Sequence, residues 1–488
     1  MSGGFAPIDW GILAAYFAAI IWIGHRLSGQ QSSIHEYFLG SRSIPWYAVS
    51  ASIVATTVSG VTFIGVPALV FAEGGDFRYL QFCLAGFISK WILGHFILPR
   101  LYEQHYPSPY DFIAAKLGPV FGKLSALLFF VGAVLGQGVR VFAVALVLEL
   151  LTGLPMALCI ALIVGFSALH TWLGGIRAVV WTDVVQFFVF VAGGVFAVIF
   201  AASGHIDGLP GAWHAAEIAG KTRVFDFTAD PAINFTFWAG VFAMPFQNLA
   251  AYGSDQLNTQ RMLCCRSVRE ARLALYVSNA GELVVVLFLM VGLALWGYYQ
   301  FHPLDPAYAQ LVQQNGDRIF PAFILSEVPA GIRGLLVAGV FAAAMSSLDS
   351  VLAALAQTSL TIFHPGYSDG SLDDRRAVVL SRALVLVWAV ALGAFALLLV
   401  GNETGLVPLA FAMTAYTYGS MLGLFLLALF APDRVVSAPL GVALSIAVVL
   451  GLDRLTDLAF PWLFPAGVFA CLLGATLPWR RRAALRVP

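Results

Sequence analysis

ASIVATTVSGVTFIGVP, residues 51–67, is an apolar run interrupted in its middle. With its flanks, over 47–70, it can cross about 30 Å of hydrocarbon as a helix. Yet Ser59-Gly60 stand mid-span, and Gly65 and Pro67 follow. Unwound backbone at that depth survives only where it lines protein or a water-filled cavity, and there its carbonyls become available to a cation. A second such run, FAMPFQNLAAYGSDQ (242–256), sets Pro245 and Gly253 around the polar pair Gln247-Asn248. Gly and Pro are common in membrane helices, so either break alone would mean little. The two breaks open two blocks of five apolar segments, 47–203 and 236–431. A broken helix at the same place in each block points to an inverted-repeat transporter with its site near the midplane.

The composition agrees with a membrane protein. Of 488 residues, 60% are hydrophobic and 11% charged. Soluble domains carry about 25% charged residues. Thirteen apolar segments are expected, at 9–27, 47–70, 77–102, 119–152, 155–174, 180–203, 236–255, 273–299, 318–360, 380–400, 406–431, 435–452 and 460–479. They form one all-α polytopic domain over 1–488, with an extra N-terminal helix (9–27) and two C-terminal helices (435–479). Formal net charge is zero, which argues against a nucleic-acid partner. The five cysteines lack CxxC or zinc spacing and the histidines lack HExxH, so no metal centre beyond an alkali cation is expected. No nucleophile–base pair marks an enzyme, and no organic cofactor is implied. The first segment lacks a basic start and a small-residue cleavage site and is read as a retained helix. The basic clusters Arg26/Arg42, Lys116/Lys123, Arg261/Arg266/Arg269/Arg272, Arg375/Arg376/Arg382, Arg434 and Arg480–Arg482 share one side if the N-terminus is outside. Positive-inside bias then puts the C-terminus in the cytoplasm and the chain in the inner (plasma) membrane.

AAAMSSLDS (342–350) lies deep in the long apolar run after residue 318. Ala343, Ser346, Ser347 and Ser350 recur at i, i+3, i+4 and i+7, a stripe of small, mostly oxygen-bearing residues on one helical face. Asp349 borders it. A carboxylate at the centre of a membrane helix costs about 2.5–3.5 kcal/mol on insertion scales and normally marks an ion path. Oxygen donors without His or Cys suit a hard cation, here read as sodium. The alternative is that the serines satisfy carbonyls of their own helix and serve close packing.

Four stretches, ATTVSGVTFIGVP (55–67), GGIRAVVWTDVVQ (174–186), DQLNTQRML (255–263) and GIRGLLVAGVFAAAMSSLDS (331–350), resemble the sodium:solute symporter family. The resemblance covers nearly the whole chain and implies a LeuT-like 5+5 inverted repeat. Within the family the sialic-acid branch is most similar. The resemblance implies a main sodium site of the Ala55, Val58 and Ala343 carbonyls with the Ser346 and Ser347 hydroxyls. It implies a second cation site at Asp183, Asp349 and Ser350, where Asp349 replaces a serine of that branch, so that the second ion is a sodium or a proton. One or two sodium ions are therefore expected.

For the solute, the resemblance points to Thr57, Ser59, Thr62, Phe77, Gln81 and Asn248. The aromatic inner gate of sugar-carrying relatives is Ala251 here, and the arginine of the sialate branch is Gly136. Arg140 lies one turn further on the same face, with Gln137 beside it, and faces the pocket or pairs with Glu149, Glu282 or another acid. The expected function is sodium-driven import of a small polar or anionic solute across the bilayer, with a sialic-acid-like sugar acid favoured. A monocarboxylate or vitamin anion is the alternative, and a hexose or inositol comes third.

Overall fold

The computed structural model describes residues 5–27, 34–103, 106–364, 366, 372–402 and 404–477, so Arg480–Arg482 lie outside the described residues. No strand occurs among the described residues. The principal helices are α1 (Pro7–Leu27), α2 (Trp46–Thr57), α3 (Gly60–Phe71), α4 (Cys83–Ile92), α5 (Pro119–Thr152), α6 (Met156–Ser203) and α7 (Met244–Leu249). They continue as α8 (Gln256–Leu263), α9 (Gly281–Tyr298), α10 (Ile332–Phe363), α11 (Asp374–Leu398), α12 (Leu406–Phe430), α13 (Ala438–Leu455) and α14 (Leu463–Thr476). Nine helical segments among the described residues are long and apolar enough to cross a membrane, and the bent α2–α3 pair adds a tenth.

The expected thirteen segments do not map one to one onto helices. Segments 155–174 and 180–203 join in α6, whose 48 residues contain one hinge at Gly175. At about 1.5 Å per residue the parts on either side of the hinge reach about 28 and 42 Å, each enough for one crossing of the hydrocarbon layer, so the hinge keeps the two expected segments distinct. Gly175 has φ +59°, a conformation that glycine tolerates best, and a Cβ there would lie 3.1 Å from the Tyr37 ring. Segment 318–360 divides instead: a short helix Ile319–Ser326 ends, and α10 begins after Pro329 and Gly331, the latter at φ +90°.

The α2–α3 break appears as read, with the two halves bent by 55°. Val58 and Ser59 take extended backbone, φ/ψ −79°/95° and −102°/178°. Gly60 lets α5 approach, since a Cβ there would stand 2.6 Å from Val144 Cγ2. The second expected break differs. Residues 239–254 stay helical, as α7 flanked by π-turns Ala239–Ala243 and Ala250–Ser254, and the chain unwinds only at Asp255 (φ/ψ −91°/127°). Pro245 stands just after the π-turn Ala239–Ala243, and the helix runs through it without a break.

α10 lies at the centre of the fold, with 94% of its most apolar window buried, against 22% for α1 and 28% for α13. It packs on α6, α5, α11, α1 and α2. Its N-terminus is held by a residue the sequence did not single out. Buried Asp9 on α1 accepts from Gly331 N (2.7 Å) and Gly334 N (2.9 Å) through Oδ1, and from Ala6 N (2.9 Å) through Oδ2. These donors have no intrahelical acceptor, and a carboxylate there also faces the positive end of the helix dipole.

Candidate ion sites and solute cavity

The break in α2–α3 leaves carbonyls at its end without helical donors, and the serine face of α10 meets them. Ser346 Oγ donates to Ala55 O (2.8 Å) and sits 3.2 Å from Ala343 O. Ser347 Oγ donates to Thr56 O (2.9 Å). Both serines are fully buried. Ser350 behaves otherwise and bonds the Ser346 carbonyl of its own helix (2.5 Å). Two hydroxyls thus cross to the broken helix, as an ion site requires, and one follows the packing alternative. Ala55, Ala343, Ser346 and Ser347 converge, with Val58 at the kink. This all-oxygen set fits a hard cation.

The expected second cation site does not assemble in that way. Asp183 Oδ2 accepts from Ser52 Oγ (2.5 Å) and pairs with the Arg261 guanidinium (3.2 Å). Arg261, fully buried, also donates to Ser52 Oγ (2.8 Å), the Leu257 carbonyl (2.5 Å) and Ser350 Oγ. Asp349 turns to a different partner, His170 on α6, with Nδ1 2.6 Å from Oδ2. Asp183 and Ser350 therefore meet around an arginine, while Asp349 pairs with His170 and feels Asp183 only through space.

A cavity of about 170 Å³ lies against the break. Thr57, Ser59, Thr62, Arg140 and Asn248 line it, as expected for solute contacts. Phe77 and Gln81 do not. Gln81 is 1% exposed and spent on the 223–235 loop: it donates to Arg78 O and Phe235 O (3.1 Å each) and accepts from Asp226 N (3.0 Å). Phe77 packs edge-on against Trp213. The 3₁₀ turn Arg78–Phe82 aims Tyr79 and Phe82, followed by Cys83, at the cavity instead. In that loop, hydrogen bonds from Thr228 first, then Arg78 and the nearby Arg223, hold the Asp226 carboxyl down to about 2.

Arg140 forms no salt bridge with either acid the sequence offered, and its charge meets Asp255 only through space. Glu149 faces Arg318 (4.0 Å) and Glu282 faces Lys90 (4.0 Å), so neither sequence-expected partner is available. Among the described residues no ion pair includes Arg140. Gly136, where the sialate branch has arginine, packs on α12: even a Cβ would lie 2.8 Å from Thr414 Cγ2.

Beside Ala251, Tyr252 also lines the cavity and reaches the break. Tyr252 OH stands 3.0 Å from Thr57 Oγ1 at the break, and Lys90 Nζ lies 5.1 Å over the ring. The π-turn Ala250–Ser254 accommodates one residue more than an α-turn, which rotates residue 252 toward the place an α-helix would give 251. Sequence reasoning missed Lys90, Tyr252, His170 and the placement of Arg261. The only signal for the π-turn was Gly253 near the helix end.

A family model described as the sodium:solute symporter family matches residues 37–437. A sodium/sialic acid symporter of Proteus mirabilis is 27% identical over 97% of this chain and 95% of its own length. A sodium-dependent multivitamin transporter of Oryctolagus cuniculus is 27% identical over 88% of this chain and 67% of its own. A solved sodium-coupled sialic acid symporter, substrate-bound and outward-open, superposes with a TM-score of 0.86 at 25% identity, covering 97% of this chain and 98% of that one.

Proposed function

The chain belongs to the sodium:solute symporter family, with a LeuT-like all-α membrane fold, and we propose that it imports a small organic monoanion together with sodium. It is a sodium-coupled transporter and not an enzyme. The observation that carries the solute class is Arg140, a guanidinium on the cavity wall that forms no ion pair among the described residues and meets the carboxylate of Asp255 only through space. The charged groups lining the cavity are Arg140, Lys90 and Glu282, and the last two offset each other. One carboxylate on the solute completes the balance, and the planar fork of Arg140 can take it in two hydrogen bonds. Thr57, Ser59, Thr62 and Asn248 supply donors and acceptors for hydroxyls or amides.

The sodium ligands are the Ala55, Val58 and Ala343 carbonyls and the Ser346 and Ser347 hydroxyls. An ion held there bridges α2 and α10, so sodium favours the conformer in which those helices meet and raises solute affinity in it. The basic-residue bias favours an N-terminus outside and a C-terminus in the cytoplasm. On that orientation the Tyr252–Thr57 contact closes the cytoplasmic side of the cavity. The two repeats are 47–203 and 236–431, flanked by 9–27 and 435–479.

A sialic-acid-like sugar acid is the favoured solute, since the polar lining suits hydroxyls. The displacement of the arginine from 136 to 140 moves its anchor about 5.4 Å along the helix, which favours a differently shaped anion, such as a monocarboxylate or vitamin, as the second reading. Uptake into proteoliposomes of labelled sialic acid, short monocarboxylates, pantothenate and glucose, each with and without a sodium gradient, tests both. Sodium-stimulated uptake of an acid but not of glucose is expected. Uptake of glucose alone removes the monoanion reading.

A further inference from the structure

The helix Val268–Val277 packs on α4 where α4 runs into a π-turn, Leu93–Ile97, and the two leave a groove of about 570 Å³ on the outside of the bundle. Phe87, Ile88, Trp91 and Ile92 form its wall on α4, one helical face at i, i+1, i+4 and i+5, and Tyr276 and Asn279 form the other. Phe87 and Trp91 are 52% and 54% exposed. Gly94 shapes the end of the groove: a Cβ there would lie 2.5 Å from Tyr276 OH, so glycine lets the tyrosine seat and meet His95 Nδ1 at 2.7 Å. Followed back along its helix, the Tyr276 face turns basic. Arg272 and Arg269 stand four and seven residues before it, on the same side, and Arg269 lies about 10 Å from Tyr276 along the axis. Arg272 Nε donates to Gly94 O (2.8 Å), which fixes its guanidinium at the mouth of the groove. Arg266 and Arg269 are exposed. Among the described residues no ion pair includes Arg266, Arg269 or Arg272. Glu270, the acid of that helix, lies near Tyr102 and Cys265 instead. An apolar face in a membrane asks for nothing more than acyl chains, but this one ends in positive charge without an acidic partner.

We propose that this groove binds one anionic phospholipid, its acyl chain along Phe87, Ile88, Trp91 and Ile92 and its phosphate on Arg272 and Arg269. A guanidinium already oriented by Gly94 takes phosphate oxygens in paired hydrogen bonds. A zwitterionic lipid fills the groove as well but brings its own cation to the arginines, so the site selects for net negative charge. On the orientation given above the lipid comes from the cytoplasmic leaflet, although the site itself does not depend on which side that is. α4 and Val268–Val277 lie in the two proposed repeats, so a lipid held by both braces one against the other.

Native mass spectrometry of the purified full-length protein, delipidated and then given equal amounts of phosphatidylglycerol and phosphatidylcholine, reads the occupant without knowledge of the solute. One phosphatidylglycerol retained per wild-type chain is expected, with a preference of about tenfold over phosphatidylcholine. Arg269→Gln is expected to lower that preference, and Arg269→Gln with Arg272→Gln to abolish it. Arg375→Gln with Arg376→Gln, an exposed basic pair elsewhere, is expected to leave it unchanged. Trp91→Ala is expected to weaken retention of both lipids. Equal retention of the two lipids by the wild type overturns the proposal, as does an unaltered preference in the double arginine variant. If Trp91→Ala retains lipid fully, or if inorganic phosphate displaces the lipid where sodium chloride of equal ionic strength does not, the arginines read a free phosphate and the proposal falls. A wild-type dimer that Trp91→Ala dissociates makes the groove a contact between copies and overturns it too. If Arg272→Gln fails to fold, the wild-type preference and the exposed Arg269→Gln still decide.

Discussion

Ser346 and Ser347 show how one residue type separates two roles on one helix face. Both donate across to carbonyls of the broken helix, whereas Ser350 donates to its own. Ser346→Ala removes one hydroxyl ligand from the ion. A hydrogen-bond-scale interaction with a charged group contributes about 1.5–3 kcal/mol, so the sodium concentration for half-maximal uptake is expected to rise about ten- to a hundred-fold. Sodium titration of uptake at constant protein level checks this, and an unchanged midpoint removes Ser346 from the site. Arg140→Lys tests the solute anchor. It keeps the charge and loses the fork, so solute affinity is expected to fall about tenfold while sodium binding is unaltered. Competition binding beside sodium titration of the same variant separates the two, and normal affinity makes Arg140 structural. The i, i+3, i+4 spacing made the serines legible. That Arg140 pairs with neither Glu149 nor Glu282 was not legible, because it depends on where Arg318 and Lys90 place those acids.

Elements decide what the motif positions become. The π-turn Ala250–Ser254 carries Tyr252, whose hydroxyl meets Thr57 at the break, and this contact is the one proposed to close the cavity. Tyr252→Ala opens that contact while leaving the ion ligands in place. It is expected to let solute leak down its gradient without sodium, measured as counterflow in sodium-free proteoliposomes; a tight variant would mean that Tyr252 closes nothing. Lys90 over the ring adds about 0.5–2 kcal/mol to the closed arrangement by cation–π attraction. At the far end of α10, Asp9 accepts from two N–H groups that no other acceptor serves. Asp9→Ala leaves those donors unsatisfied at about 1–3 kcal/mol each, and a lowered thermal midpoint in detergent is expected, with sodium affinity intact. Proline and glycine marked both interruptions in the sequence. They did not tell an unwound break from a π-turn, since both permit the same residues and differ only in how neighbouring helices take up the backbone groups.

For the whole molecule, charge accounting links the solute to the ion count. A sodium ion entering through 100 mV gains about 2.3 kcal/mol, and a tenfold gradient adds about 1.4. For a neutral solute one ion would support accumulation by about two to three orders of magnitude. With one sodium and one monoanion the cycle moves no net charge, so the potential drops out and a tenfold sodium gradient supports about tenfold accumulation. At that stoichiometry uptake of the accepted acid is insensitive to a valinomycin-imposed potassium potential. Acceleration by an inside-negative potential would show that more than one sodium enters per anion. The sequence alone determined that the chain is a polytopic helical membrane protein, that its first core helix is broken at Ser59-Gly60, and that α10 turns a serine face inward. Those features follow from apolar length, backbone chemistry and helical period, all of which are local. Only the tertiary structure decided that Gln81 ties a loop, that Tyr252 reaches Thr57, that Asp349 meets His170 and that Arg261 stands between Asp183 and Ser350. Each of these pairs joins residues from different segments, and a charged side chain in a low-dielectric interior is assigned its role by the partner that reaches it.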